Sequence, residues 1–269
     1  MKNFIYFLLM LIGIYVFINI FMVPAIEQKI LYIPSRRIVS YPDSLGIKYE
    51  DVYLNAKDGV KINGWFIRNK LSKKVILLFH GNGGNISCCL NLIKKLYEIP
   101  SNIFIIDYHG YGKSEGMPSE KNLYIDAETA YDYLIFNRKI NPDQIIIFGV
   151  SFGGAVAADL AVKKRAKALI LQSTFTSASG MATRINPLYR KTFVWIRSKF
   201  DVLEKVKRIK IPLLVLHSKN DEVIPYKMSQ EIYDKARNPK SIYLFKGYKH
   251  DDIIFSDKYL KIIKSFYRK

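Results

Sequence analysis

Residues 144–157 read Gln-Ile-Ile-Ile-Phe-Gly-Val-Ser-Phe-Gly-Gly-Ala-Val-Ala, and they are the most informative part of this chain. Its apolar run predicts a short buried strand, and the small residues at its end predict a helix. Ser151 therefore lies at the apex of a sharp turn, where its hydroxyl projects above the end of a sheet. The backbone at such an apex usually has a positive φ and needs neighbours with almost no side chain, which the flanking glycines provide.

The chain on either side of this turn alternates between strand and helix patterns. Residues 47–55 and 60–67 predict two antiparallel strands joined by an Asp-Gly turn. Short apolar runs then alternate with helical patterns, and such strands are buried on both faces. We therefore predict an α/β fold with a mostly parallel, doubly wound sheet of about eight strands and helices on both faces. The later strands are expected at 74–79, 103–107, 144–148, 168–172, 212–217 and 241–245, and the helices at 85–98, 118–137, after 151, from 225 and at 251–267.

Residues 175–208 interrupt this alternation with large apolar side chains among basic ones. The segment is either an ordinary crossover helix or a small lid over the site, and the sequence favours neither. Its large apolar residues include Phe175, Met181, Leu188, Tyr189, Phe193, Trp195 and Phe200.

The N-terminus carries a long apolar run. Residues 4–23 contain no charged side chain, and a helix of that length rises about 30 Å, enough to cross a bilayer. A shorter apolar core with a small-residue cleavage site is not evident, so we predict an uncleaved single-span membrane anchor at 1–24. A proline-containing connector at 25–46 and an α/β domain at 47–269 follow. A small excess of basic residues after the span favours a cytoplasmic domain.

The net charge of the chain is +19 at neutral pH. This excess either reflects solubility and composition or attracts anionic headgroups and anionic substrates. Because the basic residues are scattered and no nucleic-acid-binding motif occurs, we predict no nucleic-acid partner. The oligomeric state cannot be predicted from these patterns.

A serine hydroxyl becomes a good nucleophile when a histidine takes its proton and an acid orients that histidine. In a strand-turn-helix site of this kind, the acid and the histidine follow the serine in that order. His250 lies just after the last predicted strand and satisfies the order. Asp221, which follows the preceding strand, is the predicted acid, with Glu222 as the alternative.

Negative charge that develops on a carbonyl oxygen requires fixed N–H donors, which form an oxyanion hole. One donor is expected to be the backbone N–H of Phe152, directly after the nucleophile. The loop after the 74–79 strand reads His-Gly-Asn-Gly-Gly-Asn, and its glycines let the backbone approach a substrate closely. We predict Asn82 in this loop as the second donor.

Other motifs in the sequence are weaker candidates for a functional site. Residues 112–116 also read G-x-S-x-G, but the preceding strand ends too early and no small-residue helix follows, which makes Ser114 a weak alternative nucleophile. The Gly-Lys-Ser within it lacks the glycine that a phosphate-binding loop needs, because position 107 is Asp. No cluster has metal-ligand spacing, and neither a metal nor another cofactor is predicted. His80 and His217 are expected to support loops rather than to bind ligands.

Five ordered segments resemble the α/β-hydrolase fold superfamily over about residues 47–269. Within that superfamily the chain resembles the branch of small-lid, often membrane-anchored serine hydrolases related to protein depalmitoylases and prolyl-oligopeptidase-like hydrolases. The resemblance implies a triad of Ser151, Asp221 and His250. His109 departs from the pattern, because relatives often carry Arg there. The segments are H-G-N-G-G-N at 80–85, D-Y-H-G-Y-G-K-S-E-G at 107–116, G-V-S-F-G-G at 149–154, H-S-K-N-D-E-V-I-P at 217–225 and G-Y-K-H-D at 247–251.

These patterns together predict a serine hydrolase that cleaves carboxylic esters or thioesters through an acyl-enzyme intermediate. The apolar anchor and the aromatic 175–208 segment favour a small-molecule or lipid-like acyl substrate, presented at the membrane. A serine peptidase of the same fold is an alternative, although the chain has no room for a large gating domain. A non-catalytic membrane adaptor is a second alternative, and it would be expected to carry a damaged triad.

Overall fold

In the computed structural model, residues 2–69, 71–185 and 196–268 are described. Within them an eight-stranded sheet forms the centre of the α/β domain. Numbered along the chain from β1 at Glu50–Asn55 to β8 at Lys240–Phe245, its strands lie in the order β8-β7-β6-β5-β3-β4-β2-β1. Strand β2 runs opposite to its neighbours β1 and β4, and the other neighbouring pairs are parallel. The predicted mostly parallel sheet is confirmed. Its strands are β1 Glu50–Asn55, β2 Lys61–Ile67, β3 Val75–Phe79, β4 Asn102–Ile106, β5 Ile145–Val150, β6 Ala168–Gln172, β7 Leu213–Ser218 and β8 Lys240–Phe245.

Alternate residues of the central strands enter two separate cores, one on each face of the sheet. In β3, Val75, Leu77 and Phe79 belong to one buried cluster. Ile76 and Leu78 belong to the other. Since successive side chains of a strand point to opposite faces, a strand that is apolar throughout must be covered on both sides.

Helices cover both faces, as the doubly wound prediction requires. The first cluster includes residues of α4 (Glu120–Phe136), α5 (Gly153–Lys163), α7 (Val202–Val206) and α8 (Tyr226–Lys235). The second cluster includes residues of α3 (Leu90–Tyr97) and α9 (Asp257–Arg268). The closing helix predicted at 251–267 is divided, because Ser256 is extended between a 3-10 turn and α9. The described helices of the domain are α3 Leu90–Tyr97, α4 Glu120–Phe136, α5 Gly153–Lys163, α6 Ala178–Ile185, α7 Val202–Val206, α8 Tyr226–Lys235 and α9 Asp257–Arg268.

The N-terminal apolar run is helical and longer than predicted. Helix α1, Lys2–Phe17, continues through a π-helical turn at Ile18–Met22 into α2, Val23–Leu31. The stretch Asn3–Leu31 is long and apolar enough to cross a membrane. The first part of the predicted connector is therefore helix. Pro24 does not end it, because the π-helical turn lies just before this proline, and such local adjustments let a membrane-type helix accommodate a missing backbone N–H.

The rest of the connector begins with residues 32–37, which we call the strap. Ile33 and Pro34 pair in parallel with Gly83 and Gly84 of the loop after β3. The strap thus lies against the loop in which the second oxyanion donor is predicted.

The segment at 175–208 is only partly described. It contains α6 and α7, and Phe175 and Phe200 are buried in the first core cluster. Residues 186–195, which include Leu188, Tyr189, Phe193 and Trp195 of the predicted lid or crossover, lie outside the described residues.

Candidate active site

Ser151 lies at the sharp turn between β5 and α5, with a φ of +52°. The flanking glycines are required by space. A Cβ at Gly149 would lie 2.4 Å from the carbonyl oxygen of Gly153. A Cβ at Gly153 would lie 2.2 Å from the carbonyl oxygen of Phe79 in the neighbouring strand. The close approach of strand, turn and helix therefore excludes side chains at these two positions.

The three residues predicted as a triad lie together at the carboxyl edge of the sheet. Ser151 follows β5, Asp221 follows β7 and His250 follows β8. His250 Nε2 lies 3.0 Å from Ser151 Oγ, and His250 Nδ1 lies 2.7 Å from Asp221 Oδ2. The carboxylate accepts the Nδ1 proton, so Nε2 of the neutral ring is free to accept the serine proton.

Both carboxylate oxygens of Asp221 accept hydrogen bonds. Oδ1 accepts the backbone N–H groups of Val223 at 2.9 Å and Ile224 at 2.8 Å. The alternative acid, Glu222, contacts the backbone instead of the ring, because its carboxylate accepts the N–H of His250 at 3.1 Å. The geometry thus places Asp221, and not Glu222, against the imidazole.

The acid and the histidine shift the pKa of each other. Burial alone would raise the pKa of the Asp221 carboxyl, but hydrogen bonds from His217 and His250 hold this pKa well below its ordinary value. Burial alone would lower the pKa of the His250 imidazole, but the hydrogen bond and the charge of Asp221 raise it. Asp221 therefore stays ionised at neutral pH, and His250 is a stronger base than a free imidazole.

His217 supports the acid from the side opposite His250. Its Nε2 lies 2.9 Å from Asp221 Oδ2 and 2.9 Å from the carbonyl oxygen of Ile224. Both neighbours are acceptors, so Nε2 carries the proton. Nδ1 then accepts from Ser229 Oγ at 2.6 Å. The sequence predicted a loop-supporting role for His217 but did not reveal its direct contact with the acid.

One predicted oxyanion donor directly follows Ser151 in the chain, and the other lies in the loop after β3. Phe152 is the residue before α5, and its side chain is buried. Gly81 lies beside Ser151, since a Cβ there would be 3.7 Å from Ser151 Cβ. The side chain of the next residue, Asn82, accepts a hydrogen bond from the Tyr111 hydroxyl at 3.3 Å.

His80 belongs to the support of this loop. Its ring is buried against Tyr108, with the ring centroids 4.3 Å apart, and Nδ1 lies 2.8 Å from the carbonyl oxygen of Gly81. Burial lowers the pKa of His80 to about 4, so the ring is neutral. In the described part of the chain, no group of three or more His, Cys, Asp or Glu side chains is arranged to hold a metal ion.

The alternative serine and the unusual histidine lie elsewhere. Ser114 is fully buried, and its hydroxyl donates to the carbonyl oxygen of Asp107 at 2.7 Å. His109 is also buried, with Nδ1 2.6 Å from Asp126 Oδ1 and Nε2 3.1 Å from Asp58 Oδ2. Both residues tie the loop after β4 to its surroundings, since Ser114 Oγ also accepts the backbone N–H of Asn63 in β2 at 2.8 Å.

A nucleophile turn, an acid and a histidine at the carboxyl edge of such a sheet are typical of hydrolases with the α/β-hydrolase fold. Residues 74–201 match the family described as alpha/beta hydrolase fold, and residues 195–257 match the one described as serine aminopeptidase, S33. The chain belongs to the α/β-hydrolase family.

Several relatives match over most of their length. The alpha/beta hydrolase domain-containing protein WAV2 of Arabidopsis thaliana is 33% identical over 245 residues, covering 82% of this chain and 79% of the relative. Protein bem46 of Schizosaccharomyces pombe is 33% identical over 256 residues, with 89% and 85% covered. The uncharacterised protein YfhR of Escherichia coli K12 is 33% identical over 248 residues, covering 89% of this chain and 85% of the relative.

Solved structures support the fold. The Pyrococcus furiosus esterase Pf2001 superposes with a TM-score of 0.75 at 20% identity, covering 88% of this chain and 97% of that protein. Est1E of Butyrivibrio proteoclasticus, solved with ferulic acid bound, superposes with a TM-score of 0.62 at 20% identity, with 81% and 96% covered. The architecture is therefore shared with esterases.

Proposed function

We propose that the protein is a serine hydrolase that cleaves carboxylic ester or thioester bonds through an acyl-enzyme intermediate. The observation that carries this proposal is the hydrogen-bonded chain from Ser151 through His250 to Asp221 at the carboxyl edge of the sheet. Its order along the chain matches the order typical of this fold. The likeness to structures of esterases is consistent with it.

In the acylation step, Ser151 Oγ attacks the carbonyl carbon while His250 Nε2 takes the hydroxyl proton. Asp221 keeps the imidazole in the required tautomer and stabilises the imidazolium that forms. The backbone N–H groups of Phe152 and Asn82 donate to the oxyanion of the tetrahedral intermediate. When the intermediate collapses, the bond to the leaving oxygen or sulfur breaks, and His250 returns the proton to that atom.

In the deacylation step, water attacks the acyl group on Ser151. His250 Nε2 takes a proton from the water, and a second tetrahedral intermediate forms in the same oxyanion hole. Its collapse releases the carboxylic acid, and the proton passes back to Ser151 Oγ. These steps need only side chains and backbone amides of the chain, and no cofactor enters them.

We propose an apolar or lipid-like acyl substrate that is presented at a membrane. The helix at Asn3–Leu31 supports a single-pass anchor, because it is long and apolar enough to cross a bilayer. The small excess of basic residues after the span favours a domain on the cytoplasmic side. Hydrolysis rates for p-nitrophenyl esters and acyl-thioesters of increasing chain length test the substrate class, and an exclusive preference for free peptides would contradict it.

A fluorophosphonate probe tests the nucleophile in the full chain held in detergent micelles. The probe should label the wild-type protein, and Ser151→Ala should abolish both labelling and ester hydrolysis. Ser114→Ala is the matched control, because it removes a serine hydroxyl from the other G-x-S-x-G motif. We expect this variant to keep its labelling, since Ser114 is fully buried. Unlabelled wild-type protein would favour the adaptor alternative.

A serine peptidase remains the second candidate, because residues 195–257 match the serine aminopeptidase description. The same triad cleaves amides when the pocket binds a peptide. Aminoacyl p-nitroanilides, tested beside the esters on the same preparation, separate the two. Turnover of the anilides alone would replace the esterase proposal with the peptidase one.

A further inference from the structure

The residue that follows the membrane helix packs directly on the residue that follows the nucleophile. Tyr32, the first residue of the strap, is 4% exposed. Its ring meets the Phe152 ring edge-on, with centroids 5.9 Å apart and an interplanar angle of 86°. Phe200 completes the cluster, with its ring centroid 4.7 Å from that of Phe152 and 6.3 Å from that of Tyr32. These contacts fix the side chain of the residue that supplies the first proposed oxyanion donor.

The same strap also holds the loop of the second proposed donor. The N–H of Ser35 donates to the carbonyl oxygen of Gly84 at 2.9 Å. The side-chain amide of Asn85 donates in return to the carbonyl oxygens of Ser35 at 2.9 Å and Arg37 at 2.8 Å. Because Asn82 lies in the same short loop, one segment constrains both sides of the oxyanion hole.

The membrane helix is in turn attached to the segment that carries Phe200. Glu27 is buried, and its two carboxylate oxygens accept the backbone N–H groups of Arg197 and Ser198, each at 2.7 Å. The guanidinium of Arg197 donates to the carbonyl oxygen of Asn19 at 2.9 Å. The helix and the strap therefore pack against the catalytic domain as one unit.

We propose that Tyr32 is a positioning residue for acyl transfer. It holds Phe152 so that the backbone N–H after the nucleophile points at the developing oxyanion. This role rests on the proposed hydrolase function. Since oxyanion donors stabilise the transition state more than the bound substrate, loosening them lowers kcat and leaves KM nearly unchanged.

The test measures ester hydrolysis by the full chain in detergent micelles, with kcat expressed per active site. Active sites are counted by complete labelling with the fluorophosphonate probe, so an unfolded fraction does not lower the measured kcat. We expect Tyr32→Ala to lower kcat about tenfold or more and to change KM less than about twofold. Tyr32→Phe should stay within about twofold of the wild type, because the ring packing against Phe152 is kept.

Two further variants make the result decisive. Tyr32→Leu keeps apolar bulk but loses the edge-on ring, and it should lower kcat per site by about threefold or more. Tyr131→Ala is the matched control. Tyr131 is 5% exposed in the same core cluster, and its hydroxyl donates to the carbonyl oxygen of Arg165 at 2.6 Å, away from the nucleophile turn. It should keep the wild-type kcat per site.

A wild-type kcat per site in Tyr32→Ala and Tyr32→Leu would overturn the positioning role, and so would an equal loss in Tyr131→Ala. Either result would leave the hydrolase proposal in place. A wild-type chain that fails to react with the probe at Ser151 would instead overturn the proposed function, and the role of Tyr32 with it.

Discussion

Asp221 shows how single residues set the chemistry of the site. One carboxylate accepts hydrogen bonds from two imidazoles and two backbone N–H groups. Each of these donors favours the ionised form, and together they outweigh the penalty of burial. The charge so maintained raises the pKa of His250, which the proposed mechanism uses as a base.

The pH profile of kcat/KM tests this arrangement. His250 must be neutral to accept the serine proton, so activity should be lost as the pH falls through its pKa. Because Asp221 raises that pKa, the midpoint should lie above the ordinary histidine value of about 6.5. Initial rates of ester hydrolysis between pH 5 and pH 9 would give the midpoint, and a value at or below the ordinary one would contradict the prediction.

Variants of the two neighbouring acids provide the control for this profile. Asp221→Asn removes the charge beside the ring and should lower kcat by about a thousandfold or more. Glu222→Gln should have a much smaller effect, since Glu222 contacts only the backbone N–H of His250 in this site. Equal losses in the two variants would argue against Asp221 as the acid.

The turn between β5 and α5, which carries Ser151, depends on the absence of side chains at the positions that flank it. Strand β5, Ser151 and α5 approach each other so closely that Gly149 and Gly153 have no room for a methyl group. The positive φ of Ser151 is held by this packing and by hydrogen bonds. Its N–H donates to the carbonyl oxygen of Gln172 at 2.8 Å, and its carbonyl oxygen accepts the Thr174 hydroxyl at 2.7 Å. The packing of β5 and α5 thus holds Ser151 in this strained backbone conformation.

Gly153→Ala tests the packing of this element. The added methyl group would meet the carbonyl oxygens of Phe79 and His80, so we expect the free energy of unfolding to fall by about 1–3 kcal/mol. Gly83→Ala is the control, because a Cβ there would meet nothing within 4 Å. Urea unfolding followed by tryptophan fluorescence measures both, and an unchanged midpoint for Gly153→Ala would contradict the expected clash.

At the scale of the whole molecule, His109 connects three separate parts of the chain. It follows β4 and contacts Asp126 of α4 and Asp58 of the turn between β1 and β2. Burial alone would lower the pKa of His109, but the hydrogen bonds and charges of the two carboxylates raise it. Burial also raises the pKa of Asp126, so this cluster binds protons more strongly in the folded than in the unfolded state.

This cluster should make stability depend on pH with a defined sign. A group whose folded pKa is raised contributes fully below its unfolded pKa, and the contribution is lost as the pH rises through the folded value. We therefore expect the contribution of this cluster to stability to decrease from about pH 6.5 upward in the wild type. In His109→Arg the guanidinium stays charged, and this part of the decrease should disappear. Urea unfolding at pH 6 and pH 9 compares the two, and parallel losses would contradict the assignment.

Much of the fold and of the site could be predicted because its signals are local. The apolar run, the glycines and the small-residue helix around Ser151 define a strand, a turn and a helix within fourteen residues. Asp221 and His250 could be chosen because the order of strands along the chain fixes which loops reach the carboxyl edge of a parallel sheet. The sequence also predicts a supporting role for His217, but its contact with Asp221 depends on how a loop folds back.

The α/β architecture, the apolar N-terminal helix and the meeting of Ser151, Asp221 and His250 could all be predicted from the amino-acid sequence, because each follows from periodicity or from the order of motifs. The packing of the helix and the strap beside Phe152 and the loop after β3 follows only from the three-dimensional arrangement of the chain. Glu27 bonds to backbone groups 170 and 171 residues away, and Tyr32 packs on Phe152 across the core. Contacts between such distant segments have no period or spacing along the chain, because they arise only when the packed sheet and helices bring the surfaces together.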